Sequence, residues 1–165
     1  MRGRFDLIVG ITGHQSRPGI KWSWVGHQIT AALQRLSPVS GAMSSLAAGA
    51  DQVFAERALV LGIPVTAVIP LDGYDAYFDA RDQLRLHRLL ARSTVVELKS
   101  TRNAEEAFLA AGQYVAEHSG HMVAVWDGLP AEGVGGTADV VEFALGIGKQ
   151  VTHIDPLKRR VCDLT

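Results

Sequence analysis

Cysteine occurs once in the 165-residue chain, at Cys162. The chain can therefore close no internal disulfide and carries no cysteine-based zinc cluster, so an intracellular, cytoplasmic home is expected. An excess of either charge is also missing: 16 Lys and Arg face 17 Asp and Glu, a formal net charge of −1. Nucleic acids and anionic membranes are held by clustered positive surface that releases counterions. Neither is an expected partner here, and any anion must be held by local groups. Long apolar runs are absent too. The stretches 7–11 and 122–126 are among the longest, far short of the roughly 20 residues that cross a bilayer. The basic start Met1-Arg2-Gly3-Arg4-Phe5-Asp6 runs into apolar sequence with no signal-type cleavage region after it, and reads as the approach to a first strand. What is present, 47% hydrophobic and 20% charged residues, lies near the globular average and predicts a full core. The length is that of one domain, with a core over about 5–156 and a short C-terminal tail.

Short β-rich segments alternate with stretches of helical period. Strands are predicted over residues 5–11, 42–47, 65–69, 94–98, 121–126 and 150–154, and helices over 23–36, 50–61, 81–91, 104–117 and 136–145. In the first helix Val25, Ile29, Ala32, Leu33 and Leu36 share one stripe. Gly62-Ile63-Pro64 ends the second helix and launches a strand that Pro70 closes. A Tyr74-to-Phe78 segment follows it, and Lys158-Arg159-Arg160 reads as a solvated, frayed end. A repeated βα order needs crossover helices on both faces of a mainly parallel sheet: a Rossmann-like, doubly wound α/β fold.

Glycines fall just after predicted strand ends, where an open α/β sheet forms its ligand crevice and backbone amides approach an anion closely. Three loops stand out. In Trp126-Asp127-Gly128 through Gly133-Val134-Gly135-Gly136-Thr137-Ala138-Asp139 a strand passes through a glycine-rich turn into a helix. First-turn amides there lack internal acceptors and lie at the positive end of the dipole, so they can seat a phosphate without lysine. The competing reading is a mobile loop with Thr137 as helix N-cap. It is not a P-loop, since no Gly-Lys-Ser/Thr follows, nor is the spacing Gly-x-Gly-x-x-Gly. The second loop, Gly10-Ile11-Thr12-Gly13-His14-Gln15-Ser16-Arg17, offers Arg17 as a bidentate phosphate clamp and His14 or Gln15 as readers of a base or ribose edge. In the third, Leu46-Ala47-Ala48-Gly49-Ala50-Asp51, a carboxylate repels phosphate, so Asp51 is expected to cap its helix or to take a ribose diol.

Other features read as structural. Arg81, Arg85, Arg88 and Arg92 recur at helical spacing as a solvated stripe, with Leu84, Leu89 and Leu90 turned inward and no interleaved aromatics for a nucleic-acid groove. His118 and His121 are separated by Ser119-Gly120 at a helix end and have no third ligand nearby, so no metal site is expected. Trp126 either stacks on a base or packs beneath its own loop.

With those loops in view, the sequence resembles the SLOG superfamily, the Rossmann-like group that includes DprA/Smf proteins and the lonely-guy phosphoribohydrolases. The resemblance covers about residues 5–156 and is carried by Gly10 to His14, Ser45 to Asp51, and Gly133 to Thr137. It implies binding of a nucleotide or nucleotide-derived molecule at the C-terminal edge of the sheet, as a sensor domain, in a homodimer and without a further cofactor. Phosphate is then expected on the amides of Gly135, Gly136 and Thr137, with Gly13, His14 and Arg17 opposite, Asp51 near the ribose, and Gln15, Gly49, Trp126, Asp127 and Gly133 around them. The lonely-guy enzymes share Pro-Gly-Gly-x-Gly-Thr-x-x-Glu, whose glutamate assists N-glycosidic cleavage; aligning Gly136-Thr137 on its Gly-Thr puts Val140 at that place. A nucleotide N-glycosidase is therefore the alternative, with Asp127 or Asp139 as the substitute carboxylate.

Overall fold

The computed structural model describes residues 6–15, 17–99, 103–131 and 136–165. The sheet contains β1 (Ile8–Gly13), β2 (Gly41–Ser44), β3 (Val65–Ile69), β4 (Thr94–Glu97), β5 (His121–Val125), β6 (Gln150–Asp155) and β7 (Arg160–Leu164). The helices are α1 (Trp22–Arg35), α2 (Ala50–Val60), α3 (Ala80–Leu90), α4 (Ala104–Glu117) and α5 (Thr137–Gly146), with a 3-10 turn at Tyr74–Tyr77. The strand order is β4-β3-β2-β1-β5-β6-β7, parallel except for β7. This is the expected doubly wound α/β architecture.

Alternation along each strand divides the core between two layers. Val9, Ile11, Val123 and Val125 pack with α1 and α2 through Val25, Ile29, Leu33, Phe54 and Ala58. Met122 and Ala124 face the other way, with Ala111 and Val115 of α4 and Val140 and Ala144 of α5. In α3 the inward residues are Leu86 and Leu89, while Leu84 is 51% exposed, which corrects the expected inward face. The arginine stripe is solvated as expected, apart from Arg85, whose guanidinium meets Glu56 at 2.8 Å.

The C-terminal tail is not a frayed end. Asp155 Oδ1 accepts hydrogen bonds from the amides of Leu157 and Lys158 at 3.0 and 2.9 Å. The chain then turns back through Arg159, at φ +53°, and residues 160–164 pair antiparallel with β6. His121, where the sequence excluded a metal ligand, donates to or accepts from the Thr152 hydroxyl at 2.7 Å, and His118 stacks on Tyr114.

This strand order fixes where a ligand crevice forms. The chain winds outward from β1 through β4, then returns to place β5 on the other side of β1. The loops leaving β1 and β5 thus diverge at their C-terminal ends, the switch point where open α/β sheets bind ligands.

Candidate functional site at the switch point

Two cavities flank the end of β1. The first, about 250 Å³, lies over β1 and β2 and is walled by Tyr74, Tyr77, Phe78 and Phe108, with Asp51 in its lining. The second, about 240 Å³, lies between the loops after β1 and β5 and is lined by His14, Arg17, Trp126, Asp127 and Gly136. Gly13, Gln15 and Thr137 line both.

Backbone contacts lock the three loops together. The His14 amide donates to the Val125 carbonyl at 2.9 Å, and the His14 carbonyl accepts from the Ala50 amide at 3.1 Å. Gly49, at φ +87°, stands below this contact: a Cβ there would lie 2.6 Å from the His14 carbonyl oxygen and 2.8 Å from Gln15 Cα. Its glycine is required by that close approach and by the left-handed backbone, and it lines neither cavity. At Gly13 a Cβ would strike Ala50 Cβ at 2.5 Å and Val125 Cβ at 2.9 Å. Glycine there lets α2 close on β5, a packing reason that the expectation of close anion approach did not include.

In the second cavity Asp127 is nearly sealed, its side chain 6% exposed, and its carboxylate is ion-paired with Arg17. Its Oδ1 accepts the Leu129 amide at 3.0 Å. Burial alone would push the carboxyl up, but the Leu129 amide and Arg17 outweigh it and hold the pKa below the usual carboxylate value. The Asp127 amide in turn donates to His14 Nε2 at 3.0 Å. That nitrogen must be unprotonated to accept, so the imidazole is neutral with its proton on Nδ1. Its 3.3 Å approach to Asp127 Oδ1 is then a near contact rather than an ion pair. Burial, followed by the Arg17 charge, lowers the pKa of His14 in keeping with this neutral state. Trp126 donates its indole N–H to the Leu129 carbonyl at 2.9 Å and lies 5.1 Å from the His153 ring, packed against its own turn.

The start of α5 forms the shared rim. Its N-cap is Gly136, not Thr137; Thr137 is the first helical residue. Gly136 O receives the amides of Asp139 and Val140, while those of Thr137 and Ala138 have no acceptor inside the helix. Gly133 and Gly135 lie outside the described residues. Val140, at the place of the lonely-guy glutamate, faces the first cavity, and Asp139 lines neither cavity.

Asp51 corrects the capping expectation. The N-cap of α2 is Gly49 with no side-chain cap bond, and the Asp51 carboxyl instead takes a backbone hydrogen bond from Ala47. Asp51 is 7% exposed. Burial pushes its carboxyl up to about 8 against the lowering effect of the Ala47 bond, so it is an uncharged acid at neutral pH. Sequence reasoning missed the aromatic wall. Three aromatics within residues 74–78, directly after a strand closed by Pro70, were the available signal. Tyr74 meets Phe78 edge-on at 4.9 Å, and Tyr77 meets Phe108 of α4 at 5.3 Å.

No protein-family model and no curated protein matches the sequence. Among solved structures, DNA processing protein A (DprA) from Streptococcus pneumoniae matches 91% of this chain with a TM-score of 0.65 and 20% identity. DprA from Helicobacter pylori, described for its single-stranded DNA binding mode, matches 90% with a TM-score of 0.67 and 18% identity. The chain spans 50% and 65% of the length of those two proteins. The likeness establishes the fold: over about nine tenths of its length the chain has the Rossmann-like α/β architecture found in those two structures. Among the described residues no helix is long and apolar enough to cross a membrane.

Proposed function

We propose that this chain binds a nucleoside phosphate, or a small molecule derived from one, across the two cavities at the end of β1, as a sensor domain would. The observation that carries the reading is their pairing. One cavity is walled by aromatic rings and the other offers Arg17 and the start of α5, with Gly13, Gln15 and Thr137 common to both. Aromatic faces take a base by stacking. First-turn amides and a guanidinium take a phosphate. At about 250 and 240 Å³ each cavity alone is below the ~300–1,000 Å³ usual for small-molecule sites. A ligand that fills both has the size and the two-ended chemistry of a nucleotide.

Asp127 does not fit the general acid of an N-glycosidase. A general acid must carry a proton at the working pH, whereas Asp127 is held as a carboxylate by Arg17 and the Leu129 amide. The net charge of −1 argues against single-stranded DNA, the ligand named for the H. pylori protein, as the partner of this chain.

Thermal melting with millimolar nucleoside mono-, di- and triphosphates tests the proposal, with a single-stranded oligonucleotide alongside. A ligand at 100 times its Kd adds about 2.7 kcal/mol of stability, so a clear rise in Tm is expected with at least one nucleotide and none with the oligonucleotide. Gly136→Leu, which crowds Ala131 at the rim of the second cavity, should abolish the rise while the fold survives. No rise with any nucleotide overturns the proposal, and free base appearing in the mixture replaces binding by hydrolysis.

A further inference from the structure

The first cavity has an unusual electrical character for a site at an anion-binding sheet edge. Among its described lining residues there is no Arg, Lys or His. Its one carboxyl, Asp51, is almost sealed from water, and the Ala47 amide occupies part of its acceptor capacity. Of the described residues that line the cavity with Asp51, from β1, β2, the 70–78 segment, α4 and α5, only Tyr74 and Tyr77 carry titratable side chains, and neither is a cation. Asp51 and Tyr74 also feel each other: burial, then the Asp51 charge, pushes the Tyr74 phenol far up, so it too stays neutral. An isolated buried carboxylate costs several kcal/mol, and a proton removes that cost.

We propose that Asp51 is a specificity-determining hydrogen-bond donor: as a carboxylic acid it presents its hydroxyl to an acceptor atom, a ring nitrogen or carbonyl oxygen, of a base lodged among Tyr74, Tyr77 and Phe108. This rests on the nucleotide reading above and deepens it. It reverses the role the sequence assigns to Asp51, that of a carboxylate receiving the hydroxyls of a ribose. The two roles have opposite pH dependence. A donor is lost when the acid ionises, whereas an acceptor is strengthened by it. With the acid titrating near 8, the competent fraction drops about tenfold between about pH 7 and about pH 9, and the apparent affinity falls by the same factor.

Calorimetric titration of AMP, GMP, CMP and UMP into the wild-type protein and Asp51→Asn at pH 7 and pH 9 decides the matter. The amide keeps a donor at every pH, and any titration of the nucleotide itself is common to both proteins. The expected result is an approximately tenfold loss of affinity at pH 9 in the wild type that is missing in the variant, with the two proteins within about threefold at pH 7. Wild-type affinity that holds or rises at pH 9, or a variant that loses binding at pH 7, overturns the proposal while leaving nucleotide binding in place. No binding by either protein at millimolar concentration overturns the nucleotide reading and this proposal with it. Should Asp51→Asn fail to fold, the carboxyl carbon of Asp51 followed by NMR in the saturated wild-type complex gives the answer: a neutral acid at pH 7 is expected, and a carboxylate there overturns the proposal.

Discussion

Asp51 and Asp127 stand on either side of one strand end, each with a carboxyl little exposed to water, and are made tolerable in opposite ways. Asp127 keeps its charge because Arg17 and the Leu129 amide surround it. Asp51 has no cation among the described residues that line its cavity and keeps a proton instead. The comparison divides the sheet edge into a charged half around Arg17 and Asp127 and a neutral half of aromatic rings and a single acid. It also shows that burial alone does not set a carboxyl's state; the available counter-charge does.

Removing the Asp51 acid is the largest perturbation of this contrast. Its carboxyl shifts from an ordinary 3.8 to about 8 on folding, so between those values the unfolded chain has released the proton while the folded chain retains it. Stability therefore falls as pH rises through this window and levels off above about 8. Asp51→Asn does not titrate and escapes the loss. Relative to the wild type, its stability should rise by about 4 kcal/mol between about pH 4 and about pH 7, at 1.36 kcal/mol per pH unit. Urea unfolding at the two pH values measures the difference, and parallel pH profiles would show that Asp51 is ionised in the fold.

Gly49 supports both halves from below. Gly49→Ala combines a backbone at φ +87° with a Cβ only 2.6 Å from the His14 carbonyl oxygen, backbone against backbone. A loss of about 3 kcal/mol is expected, together with outward displacement of residues 14–15 and weaker nucleotide binding at both cavities. Chemical denaturation and the ligand-induced Tm shift read the two effects.

Arg17→Met tests whether the charged half depends on its guanidinium. Loss of one partner from a buried pair costs about 3–5 kcal/mol, but the Arg17 side chain is 36% exposed and solvent screens the pair. About 2 kcal/mol is expected, with the Asp127 carboxyl moving up toward its ordinary range. NMR titration of that carboxyl checks the direction; an unmoved value would leave the Leu129 amide as sufficient.

These contrasts mark the boundary of what the sequence makes legible. Period-2 and period-3.6 patterns carry the order of strands and helices, because each face must find the core in any fold of this class. The pattern predicts a strand up to residue 47, whereas β2 ends at Ser44. Ser44 Oγ accepts the Leu46 amide at 3.0 Å, and Leu46 turns to φ +57°, a side-chain contact that leaves no periodic trace. Strand β7 leaves no signal in the pattern, because its residues are almost all exposed and an edge strand without a buried face shows no alternation. The loop glycines point to the right sheet edge, although at Gly13 and Gly49 they serve helix and loop packing. The aromatic wall joins Phe108 on α4 to Tyr74 and Tyr77 beside β3, which only the crossover brings together. The neutrality of Asp51 depends on which charges the fold leaves out of its surroundings, a property no local motif encodes.

The smallest expected effect belongs to His14, which links the two halves through its backbone and reads Asp127 through its ring. Its pKa is lowered by burial and Arg17, so below its ordinary 6.5 the unfolded chain takes up a proton that the folded imidazole resists. Stability then falls with acidification. In the wild type this loss is masked by Asp51, whose contribution grows as pH falls, and it is shared with His121, whose pKa burial also lowers. The Asp51→Asn background removes the mask. Adding His14→Gln there takes away this residue's share and leaves that of His121, so the double variant should lose less stability between about pH 7 and about pH 5 than the single one. At pH 7 it should be less stable by about 1 kcal/mol, the worth of the hydrogen bond from the Asp127 amide to Nε2. Equal acid slopes in the two proteins would mean that the imidazole accepts its proton in the fold as readily as in the open chain, and that Asp127 holds it as a cation.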